Sequence, residues 1–151
     1  MIGKLSTEEI ELLLKEKVVG HLGCNDGNKT YVYPVNYIYD GHFILCHSTP
    51  GTKLNIMRQN RSVCLQVEEC NDFTHWKSVM VQGIFQELEE ERDRYAVMKF
   101  FAEKGLHQKI SQPALPNHSP NNDMQTNGHL KNRPVFFRIV IDEKSGRYED
   151  D

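Results

Sequence analysis

The chain has 151 residues, 38% of them hydrophobic and 26% charged, with a formal net charge of −3. That length suits one domain with a proper core, and the charge balance gives no electrostatic reason to expect nucleic acid or an anionic membrane as partner. The opening Met1-Ile2-Gly3-Lys4-Leu5-Ser6 lacks the apolar stretch of a signal peptide, and no apolar run approaches the roughly 20 residues of a membrane span, so a cytoplasmic protein with no membrane partner is expected.

Ser6-Thr7-Glu8-Glu9 reads as a capping box with Ser6 as N-cap, and the spacing of Ile10, Leu13 and Leu14 predicts a short helix to about Lys17. Val18 to Cys24 is β-like and ends at Asn25-Asp26-Gly27-Asn28, a hairpin turn of residues that tolerate positive φ. Tyr31 to Tyr39 returns as a strand, Asp40-Gly41 turns again, and His42 to Ser48 makes a third. Thr49-Pro50-Gly51-Thr52 breaks the sheet, and Lys53 to Gln59 carries Leu54, Ile56 and Met57 in a short helical pattern. Ser62 to Glu69 is a fourth strand and Trp76 to Leu88 a long fifth, with Gly83 the natural place for a bend or bulge. Glu89 to Lys104 is a helix, acidic at its start and ended by Gly105. From Leu106 to Arg133 the chain turns rich in Pro and Asn, which predicts a long loop. Pro134 to Asp142 is a sixth strand, and the polar tail 143–151 is expected to fray. The fold class that follows is mainly β (α+β), a single domain built as a six-stranded antiparallel barrel with peripheral helices.

Three segments differ from plain core. In Tyr33-Pro34-Val35-Asn36-Tyr37 a proline and an amide interrupt an apolar strand; Pro cannot donate to a ladder, so this stretch should be an edge or bulged, with backbone groups free for a heterocycle. In His47-Ser48-Thr49-Pro50-Gly51-Thr52-Lys53 hydroxyls, a glycine and a lysine meet at a helix start, which favours a phosphate. His75-Trp76-Lys77-Ser78-Val79 opens the long strand with the chain's single Trp. Each also has a plain structural explanation: an edge strand, a capped helix, a core or interface Trp. Cys24, Cys46, Cys64 and Cys70 contain no CxxC pair and read as reduced structural thiols. Cys46, His47, Cys70 and His75 match no zinc spacing, so no metal is expected. No HExxH, GxSxG or GxGxxG occurs.

In this order and spacing, Tyr33 to Tyr37, Asp40-Gly41, His47-Ser48 with Gly51-Thr52-Lys53, Asn60 to Cys64, and Trp76 to Val79 with Gly83 resemble the pyridoxamine 5′-phosphate oxidase-like flavin split barrels, nearest to the nitroimidazole-resistance and flavin-nucleotide-binding branch. The resemblance implies a split barrel acting as a homodimer, with flavin mononucleotide (FMN) at the interface and the dinucleotide (FAD) less favoured. Carried over, Val35, Asn36 and Tyr37 would line the isoalloxazine ring, His47 and Ser48 would lie beside it or the ribityl chain, and Thr52 and Lys53 would hold the phosphate. Trp76, Lys77 and Ser78 would come from the second protomer. Thr52-Lys53 departs from the basic pair of true pyridoxamine phosphate oxidases, and Arg147 falls in the polar tail, which argues against oxidation of pyridoxine phosphate. The function implied is a flavin-dependent reductase of small electron-poor compounds such as nitroimidazoles, with His47 the candidate catalytic proton donor. The alternatives are a flavin-binding module for storage or sensing, and a haem-binding barrel using His107, His118 or His129.

Overall fold

The computed structural model describes residues 1–105 and 133–151. In chain order the elements are β1 (Ile2–Lys4), α1 (Thr7–Glu16), β2 (Val19–Asn25), β3 (Thr30–Tyr39), β4 (Phe43–Ser48), α2 (Thr52–Gln59), β5 (Ser62–Asp72), β6 (His75–Leu88), α3 (Glu91–Glu103) and β7 (Val135–Asp150). The expected loop of 106–133 lies outside the described residues apart from Arg133, as do His107, His118 and His129.

All pairings are antiparallel, in the order β1-β7-β4-β3-β2-β5-β6, and β6 pairs back onto β7. Six strands therefore close a ring, and β1 adds to the free side of β7. Closure removes most of the exposed edge that an open sheet would carry.

α1 begins as the sequence predicts. Ser6 accepts from the Glu9 amide, and the Glu9 carboxylate accepts from the Ser6 amide. Its buried residues Ile10, Leu13 and Leu14 close the barrel interior. Tyr37 stands fully buried on β3 and donates its hydroxyl to the Leu14 carbonyl at 2.8 Å, fixing helix to sheet. Along β3 the odd positions face inward: Val35, Tyr37 and Tyr39 join the main core, with Tyr31 and Tyr33 packed at its rim. A second apolar cluster lies on the outer face, where Val97 and Phe101 of α3 cover Ile38, Leu45, Leu88 and Phe136.

The polar tail is a correction. β7 continues to Asp150, pairing with β6 on one side and with Ile2–Lys4 on the other. Its residues look like a fraying end because one face meets water and the other is covered by α1. A Cβ at Gly146 would touch Leu5 and Ile10. Lys144 reaches across to donate to Glu11 of α1 and to the Tyr39 hydroxyl. Arg147, opposite Ser78 and Lys4, is thus in a strand. β1 adds a seventh strand to the expected six.

Gly83 is the predicted irregularity. Gln82 faces Glu143 but Gly83 faces Ile141, so Asp142 is extra on β7. A Cβ at Gly83 would lie 2.4 Å from the Val140 carbonyl oxygen and 2.6 Å from Ile139 Cγ2. No helix among the described residues is long and apolar enough to cross a membrane.

Candidate functional site

β4 pairs with only the last residues of β3, Tyr37 to Tyr39. The earlier part, Thr30 to Asn36, has β2 on one side, and among the described residues no strand is paired to its other side. The Tyr37 amide donates to the Val18 carbonyl at 2.9 Å. Bonding in an antiparallel pair alternates along the strand, so Val35, Tyr33 and Tyr31 likewise turn their backbone groups toward β2. Val32, Pro34 and Asn36, one step out of phase, turn theirs away from it. Pro34 therefore lacks its N–H where β2 does not need one, and the strand is an edge there, as its proline implies.

On β4, Cys46 points inward and is fully buried, so His47 points outward, beneath α3. Its ring meets Phe101 edge-on at 4.9 Å between centroids and Phe136 at 6.1 Å. Both ring nitrogens are buried, and neither has a hydrogen-bond partner among the described residues. An imidazole so placed loses the hydration of both polar atoms, at a cost of about 1–3 kcal/mol for each unsatisfied group. Burial, with the nearby Lys53 charge adding to it, pushes the His47 pKa down to about 4.

That value sets a pH dependence. A His that titrates near 6.5 unfolded and about 4 folded takes up protons preferentially in the unfolded state between those limits. His47 thus contributes stability that is present above about pH 6.5 and is lost as pH falls toward 4, up to about 3 kcal/mol. Denaturant unfolding at pH 7 and pH 5 should show a drop at pH 5 that is smaller in His47→Phe; equal drops would mean that the imidazole is solvated. The same shift makes His47 neutral at pH 7, one N–H donor and one lone pair. In that form it can hold a polar edge.

Beyond Ser48, whose hydroxyl donates to the Thr49 carbonyl at 3.1 Å, the chain enters α2 through Gly51, which supplies no side-chain cap. The first amides of α2 are therefore available to an anion. Thr52 is exposed there. Lys53 is half-buried, and its ammonium sits 5.5 Å from the centroid of the Tyr33 ring. Burial lowers its pKa, and among the described residues only the Cys46 and Cys24 thiols, themselves held toward their neutral form by burial, work against this, with no carboxylate beside it. A desolvated cation without an anionic partner is costly to keep.

Val35 and Tyr37 are core residues whose side chains face inward. The Tyr37 ring is buried, and both its hydroxyl and its amide are engaged within the protein, so Val35 and Tyr37 would meet a ligand only through remaining backbone groups. Asn36 is half-buried on the outward row.

The third segment is elsewhere. Leu88 of β6 faces Phe136 beside His47, whereas Trp76, twelve residues away on the same strand, faces Glu149. Trp76 donates its indole N–H to that carboxylate at 2.9 Å. It borders a cleft of about 620 Å³ that also takes in Lys4, Glu9, Glu69, Lys77 and Tyr148, none of them near His47. Lys77 is exposed. Ser78 accepts from Gln66 at 3.0 Å, and Gln66 in turn meets His21 at 3.1 Å. Pro34, His21, Gln66 and Met80 are successive cross-strand partners, a row over the outer face of β3, β2, β5 and β6. At roughly 4.8 Å per strand, Pro34 and Met80 are about 14 Å apart.

One protomer thus sets Lys53 within electrostatic reach of His47, with Ser48 and Thr52 beside them in the chain, and leaves Trp76, Lys77 and Ser78 across the outer face. What the sequence did not single out is the aromatic wall of Phe101 and Phe136 around His47. Nor did it mark Tyr31 and Tyr33 as a pair, although their i, i+2 spacing in a strand puts both on one face.

Among the described residues, the closed antiparallel barrel thus sets a buried imidazole without a hydrogen-bond partner and a half-buried lysine without a carboxylate beside one open edge. This chain belongs to the pyridoxamine 5′-phosphate oxidase family, whose model matches residues 6–148. It is 31% identical to an uncharacterized protein of Rhizobium meliloti strain 1021 over 153 residues, covering 95% of this chain and 92% of that one. Among solved structures it is similar to an FAD-binding protein of Mesorhizobium loti, at 28% identity and a TM-score of 0.77, covering 99% of each chain. A Bacteroides thetaiotaomicron protein named for 5-nitroimidazole antibiotic resistance shares the fold, at 16% identity and a TM-score of 0.70, over 98% of this chain and 87% of that one.

Proposed function

We propose that this chain binds a flavin nucleotide and serves as a cytoplasmic, flavin-dependent reductase of small electron-poor compounds, nitroimidazoles among them. The observation that carries the reading is the pairing of two groups left unsatisfied among the described residues: the buried nitrogens of His47 and the half-buried Lys53, which has no carboxylate beside it. A ligand with a hydrogen-bonding ring edge and a phosphate meets both needs. Family membership and the flavin named for the Mesorhizobium loti relative support the same choice.

In this reading Lys53, Thr52 and the first amides of α2 hold the phosphate. Neutral His47 and Asn36 orient the polar groups of the ligand, and Phe101 and Phe136 keep water from the imidazole. The bound flavin supplies the electron or hydride transfer. A phosphate group of one mononucleotide suffices to satisfy Lys53. Trp76, Lys77 and Ser78 reach such a ligand from a second protomer, since their own lies across the sheet. Val19, Val32 and Ile84, 49%, 65% and 37% exposed, offer apolar area for that pairing.

The test is the absorbance spectrum of the purified protein with mass identification of the released chromophore, followed by reduction with each nicotinamide cofactor and a nitroimidazole acceptor. Visible flavin bands and acceptor turnover are expected. A colourless protein that ignores added flavin removes the reading. Flavin without reduction or turnover leaves a binding module.

A further inference from the structure

We infer that the rings of Tyr33 and Tyr31 form a stacking site for the adenine of a flavin dinucleotide, beyond the phosphate position at Lys53; this rests on the flavin reading and deepens it. The two rings are consecutive on the inward row of β3, with centroids 6.3 Å apart and planes 7° from parallel. Deeper members of that row, Val35, Tyr37 and Tyr39, are buried. Tyr31 and Tyr33 stand beyond the last β4 pairing at Tyr37 and remain half exposed. Two large aromatic faces are thus held parallel, with no strand among the described residues alongside to cover them.

Their position relative to charge gives the ligand its order. The Lys53 ammonium lies over the Tyr33 ring, so a phosphate bound there is beside the first tyrosine, and Tyr31 is one step further along the strand. Past Tyr31 comes the Asp26 carboxylate, which accepts from the Tyr31 hydroxyl at 3.3 Å and from the Asn28 and Lys29 amides. The sequence of features is cation, aromatic pair, carboxylate. A second phosphate, a flat purine and an exocyclic amine donor occur in that sequence in an adenosine diphosphate group. A mononucleotide ends at the cation and leaves the exposed part of both rings without a partner. Aromatic stacking on a base is sequence-tolerant and strong enough to give about tenfold in affinity.

The measurement is the dissociation constant of each flavin for the full chain freed of bound flavin, by quenching of flavin fluorescence, in wild type, Tyr31→Ala and Tyr31→Phe. The dinucleotide should bind wild type about tenfold more tightly than the mononucleotide. Tyr31→Ala should abolish that preference with the mononucleotide constant unchanged, and Tyr31→Phe, which keeps the ring, should retain it. Adenosine diphosphate should compete for wild type and not for Tyr31→Ala. Equal binding of both flavins to wild type, or an equal loss of both in Tyr31→Ala, overturns the adenine site and leaves the flavin reading standing. Binding of neither flavin removes both.

Discussion

Lys53→Met should weaken flavin binding by roughly 50-fold without lowering the stability of the unliganded protein. The physical reason is that Lys53 is a cost in the free chain and a gain only with an anion present. Its side chain is half-buried, its pKa is lowered by that burial, and its ammonium lies over the Tyr33 ring. A charge-assisted hydrogen bond to a phosphate is worth about 1.5–3 kcal/mol, which corresponds to roughly 10- to 150-fold in affinity. Met keeps most of the apolar stem over Tyr33 and removes the desolvated charge. Titration of both proteins with flavin, beside their denaturant midpoints, checks the two halves of the claim. Unchanged affinity with reduced stability would assign Lys53 to packing on Tyr33 and nothing more.

Gly83→Val should lower unfolding free energy by roughly 3 kcal/mol, at the upper end of what overpacking usually costs. The first added carbon meets a backbone carbonyl oxygen at 2.4 Å, and a carbonyl in a paired strand has little room to yield. The consequence is not confined to the core. Above Gly83, β6 and β7 run beside His47 through Leu88 and Phe136; past the extra residue Asp142 they run out toward Trp76 and Glu149. The bulge sets the direction of one half of the ribbon against the other. Denaturant unfolding gives the magnitude, and a loss below about 1 kcal/mol would show that β7 shifts to make room.

Local signals in the chain proved legible. The Ser6–Glu9 capping box, the Asn25–Asn28 turn and the glycine at 83 each act through neighbours a few residues away or through backbone geometry that few residues can supply. The missed elements depend on distant partners. Nothing in Glu143 to Asp150 is apolar enough to announce a strand, because the covering groups, Leu5, Ile10 and Glu11, come from the other end of the chain. Ile2–Lys4 is too short to show a period. The candidate site divides the same way. Lys53 at a helix start and Pro34 in an edge strand could be read directly, whereas the burial of His47 depends on Phe101, more than fifty residues later, so its loss of basicity had no local signal. The period of β3 places the Tyr37 side chain with the core, opposite in direction to Asn36.

The closing strand also dictates when the protein can become itself. β7 pairs with β6, β4 and β1 at once, and it follows all three of them in the chain. During synthesis, one edge each of β4 and β6 must wait for it, leaving the far sides of Ile44, Leu45 and Phe85 unpaired. Contacts of such long sequence separation form late, since loop closure must be met before they return anything. Folding on the ribosome therefore cannot finish one half before the other, and truncation of the final strand would yield an aggregating sheet, not a smaller barrel.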